Sequence, residues 1–341
     1  MIHVGWAGPA HTTFAVNWRS SVGTLASRVL YGTERAAVEG ADGAGAGVLE
    51  QLGHSMDYGR RADRTQTHEV HVCGLTPSTT YYYKAGGPGH WSPVFETRTA
   101  PAPGSTEPFS FGITGDSRNN EENAWPISQR RLAEAAIDFE IFTGDAVFVG
   151  INQGEWVSWF GAQDGAFTVQ DLLSEIPILL VNGNHDGLAL NYFTQFTFPQ
   201  EETPGEQGQG EEWYSFDYGN AHFVMLNDST TDTVLGDIEA NWLRQDLMRV
   251  DRARTPWVFA VHHRPFYTCR SNHEPLIAAR TAWQPIFDEF AVDFVLTGHN
   301  HVYERSQPIR GLQSGEAVLA PTAANGAPTY AAGEPTGTVY T

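Results

Sequence analysis

The segment Phe139-Glu140-Ile141-Phe142-Thr143-Gly144-Asp145 is a short apolar run that ends in a glycine and a carboxylate. The same arrangement recurs four times after residue 105, where an apolar run leads into aspartate, asparagine or histidine. Near-continuous apolar runs of this length are typical of strands that are buried on both faces. The segment therefore predicts an α/β fold with polar side chains at the carboxyl ends of its strands.

The five apolar runs lead into side chains of the types that bind metal ions. The runs are residues 109–114, 139–143, 178–181, 257–261 and 294–297, and they are followed by Gly115-Asp116, Gly144-Asp145, Gly183-Asn184-His185-Asp186, His262-His263 and Gly298-His299-Asn300-His301. Helical patterns include residues 127–137, 238–250 and 276–290. Carboxylate and amide oxygens with imidazole nitrogens suit two ions that lie roughly 3.5–4 Å apart. The set therefore predicts a two-metal site at the carboxyl ends of the strands.

Each of these segments alone also has a purely structural interpretation. Aspartate and asparagine beside glycine are common in turns. His299 and His301 face the same side only if their segment is extended. What favours a metal site is that all five segments follow apolar runs.

Residues 1–99 have a different pattern, in which short β-type runs alternate with turn residues. The runs cover residues 13–18, 27–32, 67–72 and 81–85, which is typical of a small all-β sandwich. Residues 75–81 (LTPSTTY) match the tyrosine-corner segment of fibronectin type III modules, with Tyr81 as the corner residue. Residues 100–105 have the composition of a linker, and residues 106–341 form the second predicted domain. Because residues 337–341 have the pattern of a strand that is beginning, we expect a shortened C terminus.

The chain is strongly acidic. It has 40 acidic and 20 basic residues, a formal net charge of -20, and Lys84 as its only lysine. This charge disfavours nucleic acid as a stable partner, and an anionic substrate would need local positive charge, which bound metal ions supply. No stretch approaches the ~20 apolar residues of a membrane span, and residues 1–6 lack the features of a signal peptide.

Two longer strings carry a family resemblance. Residues 213–223 (WYSFDYGNAHF) and 298–305 (GHNHVYER) closely resemble the purple acid phosphatase branch of the metallophosphoesterases. The resemblance implies an α/β catalytic domain in which two mixed β-sheets are sandwiched by helices. A fibronectin-like N-terminal module is also a feature of the plant-type members, so the resemblance covers both predicted domains.

The resemblance also implies a division of the metal ligands. Asp116 and His301 would bind the first metal, Asp145 would bridge, and Asn184, His263 and His299 would bind the second. A bridging carboxylate neutralises two cations at once, and the asparagine oxygen adds a neutral hard ligand. Adjacent side chains in an extended segment point opposite ways, so only one of His262 and His263 is expected to bind metal. The resemblance selects His263, because residues 264–267 (RPFY) follow it as in the relatives.

Further residues are implied to act on the substrate. His185 and His273 match the family's substrate-binding and proton-donating histidines, and a histidine is suited to protonate a leaving alkoxide. Asn184, His185 and Arg118 are the candidate substrate-binding residues, since the guanidinium of Arg118 could hold a phosphate oxygen. Surface roles for His273 and Arg118 are the alternatives.

One position departs from the family pattern. The tyrosine that gives these enzymes their purple colour follows the bridging aspartate by three residues, and Phe148 stands there. Phenylalanine cannot bind a metal, so the preference for ferric iron should weaken and the two metal ions could be Fe, Mn or Zn. We therefore expect a colourless or weakly coloured protein.

The expected function is the hydrolysis of phosphate monoesters by a metal-activated water, with a histidine as general acid. A phosphodiesterase or a pyrophosphate hydrolase on the same site is the alternative within enzymes. A binding or adhesion protein with a silent metal centre is the alternative of another class. The resemblance favours an extracytoplasmic location, and the oligomeric state stays open.

Overall fold

The N-terminal part of the chain is built from two antiparallel sheets in the computed structural model, which describes residues 1–58, 64–118, 123–200, 211–230, 234–269, 273–311, 316–317 and 337–341. Its elements are β1 (Ile2–Gly5), β2 (Phe14–Ser20), β3 (Arg28–Gly32), α1 (Arg35–Gly40), β4 (Leu49–Leu52), β5 (His54–Tyr58), β6 (Thr65–Val72), β7 (Thr80–Gly87), β8 (His90–Trp91) and β9 (Phe95–Arg98). One sheet has the order β1-β2-β6-β5, and the other has the order β4-β3-β7-β8 with β9 also paired to β7. The prediction of an all-β N-terminal region is confirmed.

Tyr81 makes the hydrogen bond that the corner segment predicts. Its hydroxyl accepts a hydrogen bond from the backbone N–H of Thr76, with 3.0 Å between the two atoms. The bond ties the start of β7 back onto the preceding loop, as in a tyrosine corner.

The rest of the chain alternates strands and helices. Its strands are β10 (Phe111–Thr114), β11 (Phe139–Phe142), β12 (Gln163–Asp164), β13 (Phe167–Thr168), β14 (Ile178–Leu180), β15 (Tyr214–Tyr218), β16 (Ala221–Met225), β17 (Trp257–Val261), β18 (Phe294–Leu296), β19 (Ile309–Arg310), β20 (Glu316–Ala317) and β21 (Val339–Tyr340). Its helices are α2 (Ala124–Ala135), α3 (Gln153–Gly161), α4 (Gln170–Leu173), α5 (Leu190–Phe193), α6 (Val234–Arg249) and α7 (Ile277–Phe290), with a 3₁₀ turn at Asp228–Thr230. The α/β class is confirmed, and the five apolar runs are β10, β11, β14, β17 and β18.

Two larger sheets organise this part. The sheet β10-β11-β14 is parallel throughout its described strands, and the sheet β15-β16-β17-β18-β21 is mixed because only β15 is antiparallel to its neighbour. Parallel strands in one sheet bring their carboxyl ends to the same edge. The segments that follow β10, β11 and β14, and those that follow β17 and β18, are therefore neighbours.

Aromatic side chains pack the two sheets face to face. The ring of Phe139 on β11 lies 5.4 Å from that of Phe223 on β16, whereas Phe142 points the other way, 5.5 Å from the ring of Trp125 on α2. On the second sheet, Val224 faces a separate buried cluster that contains Trp242 of α6 and residues of α7. Helices thus cover the outer faces of both sheets. Because successive side chains of a strand point to opposite faces, each strand packs against the other sheet on one face and against helices on the other.

The N-terminal sheets pack directly on this α/β part. The N–H of Ile2 donates to Oε1 of Gln170 at 2.6 Å, and the hydroxyl of Tyr83 donates to the carbonyl of Ser174 at 2.6 Å. One buried apolar cluster contains residues of both parts. The N-terminal part is therefore held against the α/β part by a common core. In the described ranges, no helix is long and apolar enough to cross a membrane.

Candidate metal centre

The six predicted metal ligands meet at one edge of the sheet sandwich. They follow β10 (Asp116), β11 (Asp145), β14 (Asn184), β17 (His263) and β18 (His299 and His301). Each of them lies within contact distance of at least one other. The structure therefore brings together all six residues that the sequence analysis selected, from segments that span 186 positions (116 to 301).

The backbone at these positions is unusual. Asp116, Asp145, His299 and His301 have φ angles of +51°, +59°, +70° and +46°. Positive φ is uncommon for residues other than glycine, and holding such a residue there costs on the order of 1–3 kcal/mol. Strain of this kind is found where the position of a side chain matters more than local stability, which fits a functional site.

Glycines allow the segments to approach closely. A Cβ on Gly183 would lie 2.3 Å from Oδ1 of Asp145, and a Cβ on Gly298 would lie 2.6 Å from Oδ2 of Asp116. Both distances are too short for any side chain. The glycine that precedes a ligand segment is therefore needed for the contact between loops and not only for a turn.

Asp116 connects the loop after β10 with the loop after β18. Its Oδ1 lies 3.2 Å from Nε2 of His301, and its Oδ2 accepts the backbone N–H of His299 at 2.7 Å. Nη1 of Arg118 lies 3.3 Å from Oδ1 of Asp116, 3.0 Å from Oδ2 of Asp145 and 2.8 Å from Nε2 of His301. One guanidinium nitrogen thus lies between three of the predicted ligands.

His263 connects the other ligands. Its Nε2 lies 3.3 Å from Oδ2 of Asp145 and 3.2 Å from Oδ1 of Asn184. Its Nδ1 lies 2.8 Å from the carbonyl oxygen of Thr143, which can only accept, so Nδ1 carries a proton. Fixing one ring nitrogen by a backbone carbonyl is the usual way to orient a histidine whose other nitrogen binds metal. Ligand atoms of Asp145, His263 and His299 all lie within 4.8 Å of one another.

The charges in the cluster influence one another strongly. Burial lowers the pKa of His263, but the hydrogen bond and charge of Asp145 outweigh it and raise the pKa to about 9. Burial and the charge of His263 lower the pKa of His299 to about 4. Burial and the charge of Asp145 raise the pKa of Asp116. Two buried carboxylates so close together require positive charge beside them.

The donor set fits a pair of metal ions. Nδ1 of His299 is buried and makes no hydrogen bond within the described ranges. Buried polar atoms are almost always hydrogen-bonded, so such an atom in a cluster of oxygen and imidazole donors indicates another kind of partner. Oxygen and nitrogen donors in this mixture suit Fe, Mn or Zn.

Comparisons with known proteins identify the family. Residues 1–99 match the family described as "Purple acid Phosphatase, N-terminal domain", and residues 109–303 match "Calcineurin-like phosphoesterase". Among the relatives, "Probable purple acid phosphatase 20" of Arabidopsis thaliana is 30% identical over 317 residues, which are 89% of this chain and 68% of the relative. The chain belongs to the purple acid phosphatase family.

Two further likenesses complete the comparison. "Purple acid phosphatase 22" of Arabidopsis thaliana is 33% identical over 248 residues, which cover 70% of this chain and 53% of that relative. A solved structure described as "Structure of PhoD" superposes with a TM-score of 0.57 over 91% of this chain and 73% of that chain, and its 16% sequence identity makes this a likeness of fold alone. As a purple acid phosphatase relative with a metallophosphoesterase domain, the protein is a phosphoric ester hydrolase that uses metal ions.

Asp186 is a residue of the centre whose role the sequence analysis missed. Its Oδ2 accepts the N–H groups of Asp145 at 2.7 Å and Gly183 at 3.0 Å, and its Oδ1 accepts those of Ala146 at 2.9 Å and Val147 at 3.3 Å. This buried carboxylate therefore holds the loops after β11 and β14 together. In the sequence, Asp186 is marked only by its position two residues after the predicted ligand Asn184. The sequence pattern alone cannot distinguish such an aspartate from a metal ligand.

His185 and His273 lie beside the cluster, whereas His262 does not. Nδ1 of His185 lies 2.9 Å from the carbonyl oxygen of Phe148, and the two rings are 4.7 Å apart. The ring of His273 lies 4.6 Å from that of His299. His262 is fully buried and packs on the ring of Phe266 at 4.5 Å, on the side away from the cluster, as expected for neighbouring residues that point in opposite directions.

Proposed function

We propose that this purple acid phosphatase relative hydrolyses phosphate monoesters of small molecules at a two-metal centre. The observation that supports this most is the convergence of six oxygen and nitrogen donors from five strand ends, with His299 Nδ1 buried and without a hydrogen bond in the described part of the chain. The function rests on the site, since one scaffold of this kind hosts several phosphoryl-transfer reactions.

The proposed ligand roles follow the contacts. Asp116 and His301 would hold the first ion, Asp145 would lie between the two ions, and Asn184, His263 and His299 would hold the second. When bound, the two ions supply Lewis-acid stabilisation of the phosphoryl charge and a nucleophile at neutral pH. The protein fixes the donors through strained loops and through Asp186, so that little reorganisation is needed during the reaction.

His185 and His273 are proposed to act on the substrate. Because a carbonyl only accepts, Nδ1 of His185 carries a proton that points to Phe148. When Nε2 also carries a proton, it can donate a hydrogen bond to a phosphate oxygen. The ring of His273 lies 4.6 Å from that of His299, and in this proposal it protonates the leaving alkoxide as the bond to phosphorus breaks. Asn184 and Arg118 complete the proposed substrate contacts.

The metals are proposed to be Fe, Mn or Zn without the tyrosinate of the coloured enzymes. Phe148 stands three residues after Asp145 and offers only a ring, which lies against His185. Without a phenolate, ferric iron loses its preferred partner, so we expect no intense visible absorption.

We further propose that residues 1–99 are a fibronectin type III-like sandwich, joined through residues 100–105 to a catalytic domain over residues 106–341. The two antiparallel sheets and the hydrogen bond of Tyr81 support this assignment. The charge of -20 supports a small phosphate ester rather than nucleic acid as the partner. An extracytoplasmic location is proposed on the family resemblance alone.

Hydrolysis of p-nitrophenyl phosphate and of bis-p-nitrophenyl phosphate by metal-loaded protein tests the substrate class. We expect the monoester to be hydrolysed with the higher kcat/KM, and Asp145→Asn to abolish hydrolysis of both. A matched His262→Phe variant should keep the activity, because His262 faces away from the cluster. Faster turnover of the diester would replace the monoester proposal with a phosphodiesterase.

A further inference from the structure

The guanidinium of Arg118 lies where the first ion is proposed to bind. A single nitrogen, Nη1, is 2.8 Å from Nε2 of His301, 3.0 Å from Oδ2 of Asp145 and 3.3 Å from Oδ1 of Asp116. These three atoms belong to the three residues assigned to the first ion, including the bridging carboxylate. A positively charged group therefore already contacts this donor set.

The burial of this group makes the contact strong. The side chains of Arg118, Asp116 and Asp145 are 12%, 11% and 0% exposed. A buried carboxylate pair without a counter-cation is costly, and a guanidinium keeps its charge at any pH at which proteins fold. Arg118 thus provides permanent positive charge between two carboxylates that repel each other.

The same geometry sets the nitrogen and an ion in competition. Metal ions bind carboxylate oxygen and imidazole nitrogen at about 2.0–2.2 Å. An ion bound to Asp116, Asp145 and His301 would take the same three atoms that Nη1 contacts at 2.8–3.3 Å, and it would bring a second positive charge close to the guanidinium. Arg118 and the first ion therefore compete for the same donors.

We propose that Arg118 is a positioning residue that holds the first-site donors in the metal-free protein and competes with the first ion for them. This inference rests on the proposed two-metal function. Asp116 and Asp145 are also held by backbone contacts, because the N–H of Asp116 donates to the carbonyl of Gly144 at 2.9 Å and the N–H of Asp145 donates to Oδ2 of Asp186 at 2.7 Å. These two donors therefore stay in place when the arginine is removed. Loss of the competitor therefore outweighs loss of its ordering effect.

Binding of Mn²⁺ to chelator-treated protein, followed by the electron paramagnetic resonance of free Mn²⁺, measures this competition directly. Asp116→Asn identifies which of the two binding steps belongs to the first site. We expect Arg118→Met to tighten that step by on the order of tenfold, the equivalent of about 1.4 kcal/mol. Arg118→Lys should bind like the wild type or between the two, and the exposed Arg131→Met control should change nothing. The metal-free Arg118→Met protein should also have a lower melting temperature.

The outcomes separate this inference from the function on which it rests. Unchanged or weaker first-site binding in Arg118→Met, with two Mn²⁺ per wild-type chain, would overturn the inference and leave the two-metal centre intact. A wild type that binds no Mn²⁺ at all would overturn both. If Arg118→Met does not fold, Arg118→Lys still decides, because binding tenfold weaker than wild type would show that the arginine assists metal binding rather than opposing it.

Discussion

Glu140 makes the stability of this protein depend on pH. It lies on β11 and is fully buried, with Oε1 accepting a hydrogen bond from Nε2 of Gln129 at 2.7 Å and another from the hydroxyl of Thr114. Its Oε2 makes no hydrogen bond in the described part of the chain. Burial raises the pKa of Glu140 from 4.5 to about 7. The folded protein therefore keeps a proton that the unfolded chain releases.

The magnitude follows from the two pKa values. Between pH 4.5 and 7 the folded state binds more protons than the unfolded state, so stability falls as pH rises through this window. The difference, 7 minus 4.5, is 2.5 pH units, and at about 1.36 kcal/mol per unit it corresponds to about 3.4 kcal/mol. Glu140→Gln is neutral at every pH and removes this dependence. Relative to the wild type, the variant should gain about 2.5 kcal/mol between pH 5 and pH 8.

Urea unfolding of the metal-free proteins, followed by tryptophan fluorescence at pH 5 and pH 8, measures this difference. Any constant cost of the substitution cancels because each variant is compared with the wild type at both pH values. Glu39→Gln, at an exposed position on α1, is the matched control and should show no relative gain. The reasoning is refuted if Glu140→Gln, like the control, keeps the same offset from the wild type at both pH values.

Three other substitutions have defined outcomes. Burial lowers the pKa of His3 from 6.5 to about 3, so stability that is present above pH 6.5 is lost as pH falls. In urea titrations, His3→Phe should therefore gain about 2 kcal/mol in free energy of unfolding, relative to the wild type, on going from pH 8 to pH 5. An equal offset from the wild type at both pH values would contradict this. His263→Ala should lose at least half of the bound metal by elemental analysis, whereas His262→Phe should retain it, and the reverse result would exchange the two assignments. Phe148→Tyr loaded with ferric iron should acquire a visible absorption band that the wild type lacks, and a colourless variant with two irons bound would argue against the placement of residue 148 beside the centre.

Much of the fold could be predicted from local patterns. The five apolar runs correspond to β10, β11, β14, β17 and β18, because strands buried on both faces have few alternatives to continuous apolar sequence. The residues at which helices begin and end were predicted less accurately than the helices themselves. The predicted helix over residues 127–137 is α2, which ends at Ala135 because Ala136 adopts the left-handed conformation.

Contacts between distant residues could not be predicted in this way. His222 had no recognisable partner in the sequence, yet its two ring nitrogens lie 2.7 Å from Asp217 and 2.9 Å from Asp246, a residue of α6. Burial lowers the pKa of His222, but the charge of Asp246 and the bonds to both carboxylates raise it to about 10. The charged histidine thus fixes α6 to the sheet. This contact could be recognised only once the packing of α6 on β16 was known.

At the candidate site, too, sequence patterns predicted the residue types, whereas the contacts between side chains depend on packing. The residue types and their positions after strands indicated metal ligands, but the family resemblance, and not the pattern, divided them between two ions. The competition of Arg118 and the hydrogen bonds of Asp186 depend on side-chain positions, which no spacing rule provides. The positive φ angles of Asp116 and Asp145 could not be predicted either, because most aspartates adopt negative φ.

The central claim is that six side chains hold two metal ions. Quantitative elemental analysis tests this claim most directly. The wild type and Asp145→Ala are purified in parallel without added metal, and each is then titrated with Mn²⁺ before the metal content is measured. We predict two ions per wild-type chain and fewer than one in Asp145→Ala, because Oδ2 of Asp145 lies 3.3 Å from Nε2 of His263 and shares Nη1 of Arg118 with Asp116 and His301. Equal metal content in the two proteins, or no metal in the wild type, would contradict the account.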